Sequence, residues 1–146
     1  MVATEEGICR LAFFDTQAEY EIFENELSCE YQNAEICFNN EKIAMLGKMI
    51  FSKDKKDIQL VLRGTPFQIK VWQALQSIPE GSLCSYQAVA DSIHQPKAVR
   101  AVASAIAKNN IAFLIPCHRV IRSDGSIGQY RWGSVRKQAM IAWENI

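Results

Sequence analysis

Gly64 and the segment that follows it, Thr65-Pro66-Phe67-Gln68, divide the chain more sharply than any other sequence feature. Thr65 and Gln68 have the spacing of a capping box, in which each side chain bonds the other residue's backbone N–H, and proline favours the first helical position. Gly64 breaks the apolar segment before this box. The pattern predicts two domains, over residues 1–63 and 64–146, in a chain of 146 residues that is long enough to bury a core.

The first of these segments predicts a small α/β domain with a short sheet. Apolar runs indicate its strands, and capping residues before apolar-periodic stretches indicate its helices. The predicted elements are a strand over 7–14, a helix over 16–27 capped by Asp15, a helix over 38–50 capped by Asn39 or Asn40, a polar turn over 53–57 and a strand over 58–62.

The second segment predicts a mostly α domain, so the expected fold class is α+β. After the helix that starts at Pro66, Ser85 can cap a short helix over 86–93. The residues 94–97 then turn the chain into a second helix over 96–108. Two short helices across a tight turn predict a helix-turn-helix. A final helix over 133–144 closes the chain.

A formal net charge of zero hides a segregation of charge along the chain. Residues 1–64 hold 7 basic and 12 acidic side chains, whereas residues 65–146 hold 9 basic and 4 acidic ones. The basic half suits a phosphate-bearing partner, although a solvated basic face would have the same composition. No apolar run reaches the roughly 18 residues of a membrane span, so we expect a cytoplasmic protein without a membrane segment.

One face of the helix predicted over 96–108 is polar and has helical spacing. It carries Lys97, Arg100, Ser104 and Lys108, and alanines such as Ala101 keep the helix slim enough to approach a DNA groove. The alternative is an alanine-rich core helix with a solvated edge.

Cys117 is the one of five cysteines that stands next to a histidine. The apolar run 111–115 delivers Cys117 and His118 together from the interior. The thiolate is the reactive form, and cationic or hydrogen-bonding neighbours lower its pKa from about 8.5. A water between the two side chains, with Glu144 orienting the other imidazole nitrogen, would complete a relay of nucleophile, base and orienter. A structural thiol fits the same dipeptide. The cysteines lack CxxC spacing, so we expect no disulfide and no metal.

These residues lie within a longer series of motifs that resembles the O6-alkylguanine-DNA alkyltransferases, the methylated-DNA–protein-cysteine methyltransferases. The series runs from Gly64 to Glu144 and includes Gly64-Thr65-Pro66-Phe67-Gln68, Ser85-Tyr86, Pro96-Lys97-Ala98-Val99-Arg100-Ala101-Val102, Asn109 and Ile115-Pro116-Cys117-His118-Arg119-Val120. Tyr130-Arg131-Trp132-Gly133 resembles the bacterial adaptive-response type more narrowly. The resemblance implies a ribonuclease H-like N-terminal domain, here short at its start, and implies no cofactor.

The resemblance also implies how DNA is handled. Arg100 would enter the duplex and fill the gap left by the target guanine, while Tyr86 would push the 3′ phosphate and promote flipping of the nucleotide. In the pocket, the Tyr86 hydroxyl would donate to the base N3 and the backbone N–H of Arg131 would donate to O6. The carbonyls of Cys117 and Val120 would accept from the exocyclic amine.

Three further residues complete the implied site. Asn109 would bridge the helix predicted over 96–108, which would be the DNA-recognition helix, and the loop that carries Cys117. Tyr130 would belong to the substrate pocket. Trp132 stands where many members of the family have glycine, so it should narrow the pocket against bulky adducts. A tryptophan that only packs is the alternative.

The expected function is therefore DNA repair by single-turnover transfer of an alkyl group from O6-alkylguanine to Cys117, with activity on O4-alkylthymine left open by the sequence. A thioether has no acyl carbon for water to attack, so the protein is consumed. The expected partner is alkylated double-stranded DNA, bound by a monomer. The alternative is a non-catalytic alkylated-base-binding protein of the same fold, against which the presence of Cys117 argues. A cysteine hydrolase leaves Arg100 unexplained, and a helix-turn-helix regulator leaves the Cys-His pair unexplained.

Overall fold

The computed structural model of the chain describes residues 1–52 and 58–145. The polar turn predicted over 53–57 lies outside these residues. The described chain falls into two compact units, one formed by Phe13–Ile58 and the other by Met1–Ala12 together with Gln59–Ile146. The sequence-based boundary after residue 63 stays a prediction about domains, and the compact units are divided elsewhere.

Two helices form the unit Phe13–Ile58. Helix α1 spans Gln17–Glu30 and helix α2 spans Asn40–Ile50. Asn39 caps α2 as predicted, since its side chain accepts the Lys42 N–H at 2.9 Å. The prediction for α1 was wrong at both ends. Thr16, not Asp15, accepts the N–H of Glu19, and the helix continues to Glu30 because no breaker follows Leu27.

The other unit begins with a small sheet. Strand β1 (Val2–Ala3) pairs antiparallel with strand β2 (Ile8–Arg10), and Ile8 also forms a parallel bridge with Leu60. The strands predicted over 7–14 and 58–62 are thus shorter than expected. Gly7 is required where these segments meet, because its φ is +147° and a Cβ there would lie 2.4 Å from the carbonyl oxygen of Gln59.

Helix α3 (Pro66–Gln76) starts at the predicted capping box. Thr65 accepts the N–H of Gln68, and the Gln68 side chain accepts the N–H of Thr65 at 2.9 Å. The buried indole of Trp72 donates to the carbonyl of Ala105 at 2.9 Å. This bond fixes α3 against the back of the helix that carries Ala105.

Helices α4 (Tyr86–Ser92) and α5 (Val99–Ala107) pack on each other across a tight turn and form the predicted helix-turn-helix. Helix α5 starts later than expected. Pro96 is the second residue of a turn in which the N–H of Ala98 donates to the carbonyl of Gln95, a place that proline favours. Lys97 therefore lies in the turn and not on the helix.

Strand β3 (Cys84–Ser85) pairs in parallel with strand β4 (Val120–Ile121), which follows a short 3₁₀ helix over Cys117–Arg119. Helix α6 (Ser134–Trp143) ends the described chain. Mixed helices and small sheets confirm the α+β class, whereas the ribonuclease H-like character of the N-terminal part stays a prediction. Among the described residues, no helix is both long and apolar enough to cross a membrane.

Candidate active site

Two tight turns deliver Cys117 to the site. The N–H of Leu114 donates to the carbonyl of Ala112 around Phe113, and the N–H of Cys117 donates to the carbonyl of Ile115, both at 2.7 Å. Pro116 between the latter two has φ −79° and ψ 59°, the conformation of an inverse γ-turn. The loop 111–117 is therefore closed on itself and almost wholly buried.

Asn109 holds this loop from inside. It is 1% exposed and directly follows the end of α5. Its amide nitrogen lies 3.2 Å from the carbonyl of Ile111, 3.1 Å from that of Ile115 and 3.1 Å from Cys117 Sγ, while its oxygen accepts the N–H of Ile111. One side chain, two residues beyond the end of α5, thus bonds both the loop backbone and the thiol.

The thiol of Cys117 is 4% exposed, and burial raises its pKa above the ordinary value. Hydrogen bonds from Asn109 and Tyr130 and the charge of Lys137 oppose this effect without cancelling it. The sequence-based expectation of a lowered pKa is therefore wrong for this state of the protein. At neutral pH the group is a neutral thiol whose surroundings are arranged to receive negative charge on sulfur.

His118 is fully buried and bonds Glu144. Its Nε2 lies 2.7 Å from Glu144 Oε1, and its buried Nδ1 has no hydrogen-bond partner among the described residues. Burial lowers the pKa of His118, and the hydrogen bond and charge of Glu144 oppose this only in part. A neutral imidazole donates from Nε2 to the carboxylate, so Nδ1 carries the free lone pair.

Arg119 secures the carboxylate that orients His118. Its guanidinium makes three contacts with Glu144, of 2.8, 2.9 and 3.2 Å, and its Nη1 donates to the carbonyl of Ile78 at 2.5 Å. Burial alone would raise the pKa of Glu144, but the hydrogen bonds and charges of Arg119 and His118 outweigh it and lower the pKa to about 2. Glu144 is therefore ionised across the physiological range.

Lys137 is a buried cation beside the thiol. It is 1% exposed, and its Nζ donates to the carbonyls of Val120 and Ile127, each at 2.6 Å. Burial lowers the pKa of Lys137, and negative charge on Cys117, which is present only when the thiol is ionised, opposes this in part. Lys137 thus fastens helix α6 to the backbone after the active loop and places positive charge near the sulfur.

A cavity of about 880 Å³ opens in front of Cys117. Arg100 and Val99 from α5 line it on one side, and Tyr86 from the start of α4 lines it beside them. The segment between β4 and α6 contributes further lining residues, which are Arg122, Gly128, Gln129, Tyr130 and Arg131. Burial raises the pKa of Tyr86, so its hydroxyl remains a hydrogen-bond donor at neutral pH.

Four of the five residues predicted to meet DNA are exposed, whereas the fifth, Tyr86, is half-buried. Arg100, Ala101 and Ser104 are exposed on α5, and Lys97 is exposed in the turn before it. Arg100 belongs both to this exposed face and to the cavity. The predicted recognition surface is thus continuous with the space in front of the thiol.

Two residues predicted for the pocket lie deeper than the cavity lining. Val120 is fully buried, and its carbonyl already accepts from Lys137, as the Cys117 carbonyl accepts the N–H of Val120. Each carbonyl keeps one lone pair for a further donor. Trp132 is 9% exposed, with its ring edge-on to Tyr130 at 5.3 Å and Arg131 over its face at 5.7 Å.

Sequence reasoning gave no role to three residues that shape the site: Arg119, Arg122 and Lys137. Arg119 stands within the Cys-His motif, and the other two were counted only within the basic half. For Lys137, the spacing of apolar residues along α6 could have predicted that this lysine lies on the buried face of the helix. Within the described part of the chain, no group of three or more His, Cys, Asp and Glu side chains is arranged to hold a metal ion.

The amino-acid sequence is similar to those of known proteins. The sequence profile described as "6-O-methylguanine DNA methyltransferase, DNA binding domain" matches residues 66–146. The "Bifunctional transcriptional activator/DNA repair enzyme Ada" of Escherichia coli K12 is 42% identical over 147 residues, which are 97% of this chain and 40% of Ada. The chain thus spans about two fifths of the length of that relative.

Solved structures agree with the sequence comparison. "Mycobacterium tuberculosis OGT in complex with DNA" aligns with a TM-score of 0.65 and 40% identity, covering 72% of this chain and 66% of that one. The O6-methylguanine-DNA methyltransferase of the archaeon Pyrococcus kodakaraensis aligns with a TM-score of 0.76 over 99% of this chain and 90% of that one. At 22% identity, the archaeal structure supports the fold alone.

Proposed function

The chain belongs to the 6-O-methylguanine DNA methyltransferase family, and we propose that it repairs DNA by moving an alkyl group from O6-alkylguanine to its own Cys117. The observation that carries the proposal is the position of Cys117 Sγ. It accepts a hydrogen bond from Asn109 and lines the same cavity as Arg100. A sulfur so placed can receive charge and meet a base that enters the cavity.

The proton of the thiol leaves through His118. Cys117 and His118 both rest neutral, and Nδ1 of the imidazole has the lone pair needed to accept the proton, directly or through a water. Glu144 stabilises the imidazolium formed in this step, since its carboxylate is ionised and bonded to Nε2. Cys117, His118 and Glu144 thus act as nucleophile, base and orienting group.

The transfer is a displacement at carbon. The S–C bond to Cys117 forms while the C–O6 bond breaks, and the electron pair of the broken bond remains on the guanine. The departing base takes up a proton, so the thiol proton ends on guanine. The Tyr86 hydroxyl donates to the base N3, and the backbone N–H of Arg131 donates to O6. The carbonyls of Cys117 and Val120 accept from the exocyclic amine.

Access to the cavity requires that the damaged nucleotide leave the duplex. Arg100 fills the gap in the base stack, while Tyr86, at the cavity edge, acts on the 3′ phosphate. Lys97 and Ser104 contact the DNA backbone, and Ala101 permits close approach of α5 to the groove. Flipping costs a few kcal/mol and is easiest for a mispaired lesion.

The product limits the protein to one turnover. The S-alkyl thioether offers water no carbonyl carbon, so the modified cysteine is not regenerated. Trp132 lies behind the cavity lining and packs against Tyr130, so it restricts the cavity through that ring and favours methyl over bulky adducts. The protein acts as a monomer on alkylated double-stranded DNA in the cytoplasm.

A non-catalytic protein that only binds alkylated bases is the second candidate. Such a protein needs the cavity and Arg100 but no acceptor thiol. The hydrogen bond from Asn109 to Cys117 Sγ and the His118–Glu144 pair are unnecessary for binding alone, so they favour transfer.

Mass analysis of the protein tests the proposal. After incubation with an oligonucleotide containing O6-methylguanine, the peptide with Cys117 should gain the mass of one methyl group, and the DNA should contain normal guanine. Cys117→Ser should bind the lesion and leave it methylated. A methyl group on another peptide, or on none, would contradict the proposal. Lesion binding without any gain of mass would support the second candidate.

A further inference from the structure

The γ-turn around Phe113 stores strain inside the active loop. Phe113 has φ +64°, and the hydrogen bond from Leu114 N–H to the Ala112 carbonyl closes the turn across it. A γ-turn with positive φ at its centre is rare and strained, and a bulky residue in that region is an outlier. Such a conformation persists only when its surroundings impose it, and it concentrates at functional sites.

The side chain of Phe113 lies flat against His118. The two rings are parallel within 6°, with centroids 5.9 Å apart, and Phe113 is 5% exposed. Trp143 contacts Phe113 at a centroid distance of 5.7 Å. Because Trp143 directly precedes Glu144, the aromatic contact and the hydrogen bond to His118 come from the same end of α6.

A single hydrogen bond leaves an imidazole free to rotate about that bond. The bond from His118 Nε2 to Glu144 fixes the position of one ring nitrogen but not the plane of the ring. A parallel aromatic face removes this rotation. The remaining ring nitrogen, Nδ1, then keeps one direction, which a proton relay requires because proton transfer depends on alignment.

We propose that Phe113 is a positioning residue for His118: the strained turn presses the phenyl ring against the imidazole and fixes the direction of Nδ1. The inference rests on the proposed function, in which His118 accepts the thiol proton. Phe113 touches neither DNA nor the sulfur in this role, and it acts only through the imidazole.

Phe113→Leu tests the role, because leucine stays apolar but has no flat face. In single-turnover reactions with an O6-methylguanine oligonucleotide, we expect the rate constant at saturating DNA to fall about tenfold. The DNA concentration at half-saturation should not change. In a His118→Gln background, the same substitution should change the rate less than about twofold, because the two residues act as one unit. Phe113→Tyr should restore most of the rate.

Leu75→Ala is the matched control for lost stability. Leu75 is fully buried in α3, so its truncation weakens the core without removing the ring that faces His118. If Leu75→Ala slows transfer as much as Phe113→Leu at the same temperature, the positioning role is wrong. An unreduced tenfold loss in the His118→Gln background would overturn it as well.

A second measurement needs no DNA. The chain has two histidines, so imidazole nitrogen NMR can distinguish buried His118 from exposed His94. Wild-type His118 should show one neutral tautomer with its proton on Nε2, and Phe113→Leu should show mixed or exchange-broadened signals. Unchanged His118 signals would overturn the positioning role. The expected signals in a wild-type protein that transfers no methyl group would instead count against the proposed function.

Discussion

The loop around Cys117 and the exposed face of α5 are built on opposite principles. Around the loop, buried polar groups such as the amide of Asn109 and the carboxylate of Glu144 bond fixed partners. On α5, the side chains of Arg100 and Ser104 are exposed to solvent. The surroundings of Cys117 are thus organised without a ligand, whereas the exposed side chains of α5 would, under the proposed function, find their partners only on DNA. Substitutions in the loop should therefore cost stability, and those on α5 should cost affinity.

Glu144→Gln should produce the largest effect in the loop. It leaves the buried guanidinium of Arg119 without its anion, so we expect the free energy of unfolding to fall by about 3 kcal/mol at pH 7. Because folding lowers the pKa of Glu144 from 4.5 to about 2, the carboxylate stabilises the fold above pH 4.5 and loses this effect as pH falls towards 2. Urea unfolding at several pH values measures both.

Glu80→Gln is the matched control. Glu80 also faces Arg119, but at 4.0 Å and with its side chain 49% exposed, so its removal should cost less than about 1 kcal/mol. Equal losses for the two variants at pH 7 would show that burial does not distinguish the two carboxylates.

Asn109→Ala should destabilise the loop without changing any charge. It leaves the N–H of Ile111 and the carbonyls of Ile111 and Ile115 without this partner in a buried site, at a cost of roughly 3 kcal/mol. Urea or thermal unfolding measures the change. Asn110→Ala, one residue along the chain, is the control and should stay near wild type; a wild-type stability for Asn109→Ala would refute a loop organised from inside.

Arg100→Gln should show the opposite pattern on α5. We expect stability to stay within about 0.5 kcal/mol, since the side chain is exposed. Affinity for alkylated duplex DNA should fall about tenfold, because glutamine does not fill the gap that the flipped nucleotide leaves in the base stack. Fluorescence anisotropy at several salt concentrations measures this. Lys70→Gln, on exposed α3 surface, is the control, and equal losses for both variants would mean that total charge alone binds DNA.

His94→Gly should have the smallest effect. His94 adopts φ +59° in the turn between α4 and α5, where glycine is less strained. We expect an increase in unfolding free energy of less than about 1 kcal/mol, measured by thermal unfolding. His94→Ala removes the imidazole but keeps the strain, so it should give no gain. If both variants stabilise equally, the backbone at this turn is not strained.

Local signals in the sequence predicted the parts of the fold that depend on neighbouring residues. The Thr65 capping box, the Ser85 cap and the Asn39 cap all act within one helical turn, and the Cys117–His118 pair is a dipeptide. The start of α5 was misplaced because Pro96 suits both a first helical turn and the second place of a β-turn. Long-range packing decided between them.

The protonation state of the Cys117 thiol could not be predicted from the sequence, because it also depends on long-range packing. Nearby basic residues suggested a lowered pKa for Cys117, but burial dominates, and burial depends on how the loop folds around Asn109. The sequence did not indicate what Lys137 bonds, because the two carbonyls that accept from it lie 10 and 17 residues away along the chain. The strain at Phe113 likewise comes from tertiary packing, which the local sequence does not encode.

The three tryptophans of the chain give the site an optical readout. Trp72 bonds the carbonyl of Ala105 near the end of α5, Trp132 packs edge-on against Tyr130, and Trp143, 45% exposed, contacts Phe113. Each indole therefore senses a different part of the site. Trp72 reports on α5, Trp132 on Tyr130, and Trp143 on Phe113 beside the imidazole of His118. The intrinsic fluorescence of the unlabelled protein should separate the docking of DNA from the modification of Cys117.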